Sequence, residues 1–356
     1  MLIKTSFRNW ISSIALWILL FYLYYFLVFY GLKDWLQEGF VREYLFSWKP
    51  HLELLLTGIV FGFFFEVIDI ITVNTKIRRM RLGAVILIKS LLYVFSLIIV
   101  FTVISVVFLE FNLISNTDLV KLWEFYSSKI TLTFSVYLVI ATIFVNVAGQ
   151  IREKFGPGNF LKLLVGKYRI PRDESKVFMF LDLRNSTAIA ERLDHEKYSR
   201  LLRYCYHELT EFVLHYKAEI YQYVGDEVVL CWDSDDGIKD LRCLNLYYDF
   251  RDRLFEKNEQ FVNEFGVAPF FKCGIDMGFV TAAEIGDLKR EIAYHGDVLN
   301  TASRIEGLCN NFGKDILVSE NIVNSCGNKL HVEFMTDMIL RGKTKKIKIY
   351  SPLSTT

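Results

Sequence analysis

Two aspartates stand where short apolar segments end. Asp182 follows Val177-Phe178-Met179-Phe180-Leu181, and Asp226 follows a glycine between two further apolar stretches, in Tyr223-Val224-Gly225-Asp226-Glu227. Carboxylates presented by neighbouring strands suit a pair of Mg2+ or Mn2+ ions, hard cations that take oxygen ligands and keep phosphate oxygens and water in their shells. Asn185-Ser186-Thr187, just beyond Asp182, has the residue types of a helix start, whose backbone N–H groups can meet a polyphosphate. Asn300 and Arg304 lie four apart and so share one helix face. A plainer reading stands beside each of these: Asp182 as a turn residue, Gly225-Asp226 as a hairpin turn, and Arg304 as half of a solvated helix ion pair.

The elements that must position these groups follow from the hydrophobic pattern. Residues 177–183 read as a strand buried on both faces. A helix capped at Asn185 carries Ile189, Leu193, Tyr198, Leu201, Leu202 and Leu209 on to Val213. Residues 219–224 and 227–232 read as a hairpin with Asp226 at its tip. A helix over 238–265, strands over 270–284 and 290–294, a helix over 297–310, and strands at 316–318, 332–340 and 347–350 complete the order. The class is α+β, with helices on one face of a mostly antiparallel sheet.

Taken together, three blocks are far more specific than any one of them. Phe180-Leu-Asp-Leu-Arg-Asn-Ser-Thr187, then Tyr223-Val-Gly-Asp-Glu227, then Gly296-Asp-Val-Leu-Asn-Thr-Ala-Ser-Arg-Ile305 resemble the class III nucleotidyl cyclase catalytic domain, and Leu340-Arg-Gly-Lys343 is similar to the lysine-bearing segment near its end. The resemblance covers about residues 176–350 and implies a ferredoxin-like α+β domain that makes a 3′,5′-cyclic nucleotide and pyrophosphate from a nucleoside triphosphate. It further implies that Asp182 and Asp226 hold two Mg2+ or Mn2+ ions per active site, with the Leu183 carbonyl as a further ligand. By the same resemblance Asn300 orients the ribose, Arg304 stabilises charge on the α-phosphate, and Lys343, or second to it Arg341, meets the triphosphate. The family site forms between two domains, so a chain with one such domain is expected to work as a homodimer. The base-reading positions depart from the family pattern: Gln222 stands where adenylate-specific members have Lys, and Ala293 where they have Asp or Thr. The Glu and Cys of guanylate-specific members are absent too, which favours ATP over GTP; a glutamine can donate to or accept from either purine. A guanylate cyclase and a catalytically silent, nucleotide-binding regulatory module are the alternatives. The Gly-Gly-Asp/Glu-Glu-Phe signature of diguanylate cyclases is missing.

The rest of the chain has another character. Of 356 residues, 53% are hydrophobic, and residues 1–151 hold five of the six Trp and none of the six Cys. That excess excludes a disordered chain, and a net charge of +1 gives no basic surplus for a nucleic-acid partner. Four apolar runs, about residues 10–30, 52–73, 84–109 and 130–147, are each long enough to cross a bilayer. The first is too long for a signal-peptide core and lacks a small-residue cleavage site.

Basic residues cluster at Lys4 and Arg8, at Lys76-Ile77-Arg78-Arg79-Met80-Arg81, and at Arg152 and Lys154, whereas the other two connections mix signs. The positive-inside rule then puts both ends in the cytoplasm of a multi-pass inner-membrane protein in contact with lipid, with Trp10, Trp35, Trp48 and Trp123 near the interfaces. The expected division is a four-span membrane domain at 1–151, a coupling linker at 152–175 broken by Gly156-Pro157-Gly158, and a catalytic domain at 176–356. Glu66 and Asp69 share a helix face in the second span and Lys89 lies in the third, so an intramembrane pair is expected, either as a structural bond or as a sensor. A transporter would show internal repeats, and none is detectable. The cysteines lack CxxC pairing and suitably spaced His, as befits buried thiols in a reducing compartment.

Overall fold

The computed structural model describes residues 7–30, 46–74, 80, 82–110, 129–155, 162, 165–288, 290–339 and 346–353. Lys343 and Arg341, most of the basic run 76–81, the Gly156-Pro157-Gly158 break, Trp35 and Trp123 therefore lie outside the described residues. The chain forms two units, Met1–Lys154 and Phe155–Thr356.

In the first unit the helices are α1 (Phe7–Tyr25, continued as a π-helix over Phe26–Tyr30), α2 (Lys49–Asn74), α3 (Leu82–Glu110) and α4 (Lys129–Phe155). Among the described residues, four segments are long and apolar enough to cross a membrane: Trp10–Val28, Lys49–Thr72, Gly83–Ile104 and Leu132–Gly149. Their shared core holds Trp17 and Phe21 from α1, Phe61 and Phe65 from α2, Tyr93 from α3 and Leu138 from α4. Large apolar side chains such as Leu19, Phe95, Leu132 and Phe144 cover the outside, so the helices are apolar all round, as lipid-facing helices are. At Gly58 and Gly62 an added Cβ would lie 2.5 Å and 2.6 Å from Ile18 and Ile14, so two small residues one turn apart let α1 and α2 touch closely. Lys89 pairs with Asp69, as the spacing predicts, while Glu66 accepts a 2.8 Å hydrogen bond from Ser13 Oγ.

The second unit is built on an eight-stranded sheet. Its strands are β1 (Arg172–Leu183), β2 (Glu219–Val224), β3 (Glu227–Asp233), β4 (Phe271–Ile285), β5 (Glu291–His295), β6 (Ile316–Ser319), β7 (Val332–Met338) and β8 (Ile347–Pro352). They lie in the order β2-β3-β1-β4-β6-β8-β7, with β5 also paired to β4. All pairs are antiparallel except β4 with β6. The helices are α5 (Ser186–Arg192), α6 (His195–His215), α7 (Ser234–Ile238), α8 (Arg242–Glu256), α9 (Asn258–Phe265), α10 (Asp297–Gly307), α11 (Cys309–Phe312) and α12 (Glu320–Cys326).

The helices do not all lie on one face. Val177, Met179, Leu181 and Leu183 of β1 pack with Leu201, Cys205 and Leu209 of α6 and Tyr247 and Phe250 of α8. Alternate residues point the opposite way, and Phe178 and Phe180 pack with Val298 and Ala302 of α10. The unbroken apolar run of β1 reflects this burial on both faces. Two helices expected as continuous are interrupted. Leu193 turns extended and Asp194 caps α6, accepting from the Lys197 N–H at 2.7 Å. The stretch 238–265 breaks where Leu241 takes a φ of 54° and again at Lys257. Ahead of β1, Tyr168 is buried against Phe178, and its carbonyl accepts from Glu284 N at 2.8 Å. All six cysteines are buried free thiols.

Candidate active site

Asp182 occupies the next-to-last position of β1, on the same face as Phe178 and Phe180. The register sets it opposite Glu227 on β3 and Lys272 on β4, so three charged side chains form a row across the sheet. Asp226 joins them from the tip of the β2–β3 hairpin, where Gly225 takes the left-handed φ of 64° that a tight two-residue turn requires. Glu306 reaches the row from α10. Lys272 Nζ lies 2.6 Å from Glu306 Oε1 and 3.3 Å from Asp182 Oδ2, and both Lys272 and Glu306 are almost fully buried.

With four carboxylates around one ammonium, the protonation of Asp182, Glu227 and Lys272 is shifted. Burial, then the charges of Glu306 and Asp226, push the Asp182 carboxyl up to about 6 against the pull of Lys272. Burial and the charges of Glu306, Asp182 and Asp226 push Glu227 up to about 7. For Lys272, burial alone would lower the value, but Glu306 and Asp182 outweigh it and hold the ammonium above the ordinary lysine range. Tyr198, which shares a hydrogen bond with Ser186, is raised to about 12 by burial and by the charges of Asp226 and Asp182.

This donor set fits a hard divalent cation. It offers oxygen ligands carrying more negative charge than Lys272 offsets, and Asp182 is raised partly because the neighbouring carboxylates repel it. Among the described residues no group of three or more His, Cys, Asp or Glu could by itself hold a metal. A cation here would therefore complete its shell with phosphate oxygens and water.

The other expected residues divide into groups. Leu183 follows Asp182 and buries its side chain on the opposite face, in the core with α6 and α8. Asn185 does not cap α5: it adopts a left-handed φ of 58° and makes no side-chain capping bond, because the chain turns sharply after β1 before Ser186 and Thr187 enter the helix. Asn300 is exposed and Arg304 half-buried on α10, while Val298, Ala302, Ile305 and Glu306 are buried. Among the described residues Arg304 makes no ion pair, so it is not half of a helix salt bridge. Gln222 is exposed on β2, and Ala293 is buried on β5. Lys343 lies outside the described residues.

Three members of the site escaped the sequence reading in that role: Glu227, Lys272 and Glu306. Lys272 is a lone cation inside Phe270-Phe271-Lys272-Cys273-Gly274-Ile275, and Glu306 follows Val298 and Ala302 at steps of four on the buried stripe of α10. A charge on an apolar stripe is the signal that would have marked both.

A family model described as "Adenylate and Guanylate cyclase catalytic domain" matches residues 170–352. Adenylate cyclase 2 of Rhizobium meliloti (strain 1021) is 31% identical over 204 residues, covering 57% of this chain and 56% of that protein. Adenylate cyclase of Anabaena cylindrica is 23% identical over 209 residues, covering 56% of this chain and 42% of that protein. The chain thus spans about half the length of these curated relatives. Among solved structures, a bacterial light-regulated adenylyl cyclase aligns with a TM-score of 0.51 at 17% identity, over 59% of this chain and 61% of that one, a likeness of fold.

Proposed function

Because the chain belongs to the adenylate and guanylate cyclase family, we propose that it is a membrane-anchored cyclase that converts ATP to 3′,5′-cyclic AMP and pyrophosphate. The observation that carries this reading is that Asp226 comes close enough to Asp182 at one end of the sheet for its charge to be felt there, with Asn300 and Arg304 four residues apart on α10. In the reaction the ribose 3′-hydroxyl gives up its proton to water as its oxygen bonds to the α-phosphorus, the bond from that phosphorus to the bridging oxygen breaks, and pyrophosphate leaves with the electron pair.

Asp182 and Asp226, with the Leu183 carbonyl, would hold two Mg2+ or Mn2+ ions. When bound, such ions lower the pKa of the ribose hydroxyl and neutralise the triphosphate. Asn300 orients the ribose, and Arg304 supplies fixed positive charge where negative charge develops on the α-phosphate. The turn at Asn185, Ser186 and Thr187 borders the phosphates, and Lys343 meets the far end of the triphosphate. Gln222 and Ala293 face the base. ATP is favoured because the guanine-reading Glu and Cys are absent and because the curated relatives are adenylate cyclases.

Asn300 and Arg304 of one copy serve the aspartates of another, so the active species is a homodimer with two composite sites. The four apolar spans, within residues 1–151, anchor the dimer in the inner membrane with both ends cytoplasmic. Residues 152–175 couple them to a catalytic domain at 176–356. In the full-length protein Asp182→Ala should be inactive and Arg304→Ala should lose about 10²–10³-fold in turnover, and co-assembly of the two should restore part of the activity through one intact site. No recovery from verified mixed dimers would contradict the shared site.

A further inference from the structure

Lys272 is 7% exposed and Glu306 6% exposed, so both charges are buried. The ammonium stands between two elements. On one side is Asp182 Oδ2 at 3.3 Å, its neighbour across the β1–β4 register, and on the other is Glu306 Oε1 at 2.6 Å, two residues beyond Arg304 on α10. The helix is also seated directly on β4 at Gly274, two residues from Lys272, where a Cβ would come within 2.4 Å of the Ala302 carbonyl oxygen. The Lys272–Glu306 bond thus joins β4 to the helix that carries Asn300 and Arg304.

Resting on the cyclase reading above, we propose that Lys272 is a positioning residue that ties Asp182 to the helix bearing Arg304. In a homodimer these two ends belong to different composite sites, because the Asp182 of a protomer works in one site and its Arg304 in the other. Lys272 thus joins the two sites through a single side chain. It is also the cation that a metal must compete with for Asp182 Oδ2.

Two measurements on the full-length protein test this. Mn2+ binding without nucleotide, followed by electron paramagnetic resonance, is expected to be severalfold tighter in Lys272→Met, since a positive charge beside the carboxylates is gone, while turnover falls. Lys272→Arg should recover both values. The second measurement uses the mixed dimer of an Asp182→Ala protomer, which supplies only Asn300 and Arg304, and an Arg304→Ala protomer, which supplies only the aspartates. Lys272→Met added to the Asp182→Ala protomer removes the half of the tie that this protomer keeps, the bond to Glu306 on the helix of Arg304, and should cut the recovered turnover by about tenfold through misplacement of Arg304. Glu306→Gln in that protomer should do the same, and it keeps the test open if the methionine variant folds poorly. Unchanged or weaker Mn2+ binding in a folded Lys272→Met protein, or no effect of either substitution in the Asp182→Ala protomer, would overturn the proposal. Failure of the mixed dimer without further substitutions would count against the cyclase reading instead, and Mn2+ binding would still decide the role of Lys272.

Discussion

A Cβ built on Gly274 would lie 2.2 Å from the backbone nitrogen of Glu306, so strand β4 and helix α10 meet backbone to backbone. Gly274→Ala must push the helix off the sheet, and overpacking of this kind costs about 1–3 kcal/mol. The melting temperature of the variant is expected to fall, with a loss of turnover as Arg304 moves. Gly307→Ala, where an added Cβ meets nothing within 4 Å, should leave the melting temperature within a degree or so of the parent. Equal melting temperatures for all three proteins would rule out the close seat of α10.

The protonation of Asp182 and Glu227 sets a second expectation. Both carboxyls are raised in the folded chain, to about 6 and about 7, so each keeps a proton at pH values where the unfolded chain has lost it. The folded state then binds more protons, and its stability falls as pH rises between about 4 and 7. With a chelator present, the protein should melt higher at about pH 5.5 than at about pH 7.5, and Asp182→Asn should flatten that difference. Mn2+ should stabilise more at the higher pH. A chelated protein that grows more stable over this range, with Asp182→Asn showing the same slope, would contradict the carboxylate cluster.

Much of this site was legible in the residues, for physical reasons. The apolar run ending at Asp182 and the Gly-Asp turn at Asp226 are local signals, and both carry through to strand ends at one edge of the cluster. Lys272 and Glu306 were not legible as a pair because a contact across 34 positions leaves no periodic trace; each shows only as a charge in an apolar setting. The face chosen by α10 was also hidden. Its amphipathic pattern says that one side is buried but not against which side of the sheet, although the double burial of β1 already required cover on both. Asp194 interrupts the α5–α6 stretch without disturbing the apolar spacing around it, so periodicity alone bridged a real break.

Removing the residues proposed for chemistry should separate by role. Arg304→Ala is expected to lower kcat by about 10²–10³-fold, the scale for losing one fixed charge or donor at a developing anion, with little change in stability. Asp226→Ala should abolish turnover at any Mn2+ concentration and weaken Mn2+ binding. Steady-state kinetics across a Mn2+ series checks both, and an Arg304→Ala protein that keeps parental kcat would remove Arg304 from the site.

In the first unit, Lys89→Met would leave Asp69 without its cation among apolar helices. A lone charge inside a membrane helix costs about 2.5–3.5 kcal/mol on insertion scales. The single variant is expected to unfold at lower denaturant in detergent, and Lys89→Met with Asp69→Asn should recover most of the loss. Equal destabilisation by the single and the double variant would show that the pair contributes nothing as a pair.

The most direct test is product analysis of the purified full-length protein with Mn2+, given ATP and GTP in parallel and scored for cyclic AMP, cyclic GMP and pyrophosphate. The expected result is cyclic AMP and pyrophosphate in equal amounts from ATP, little cyclic GMP from GTP, and neither product from Asp182→Ala. A folded, metal-loaded dimer that binds ATP but yields no cyclic nucleotide from either substrate would contradict the assignment of this chain as an active cyclase.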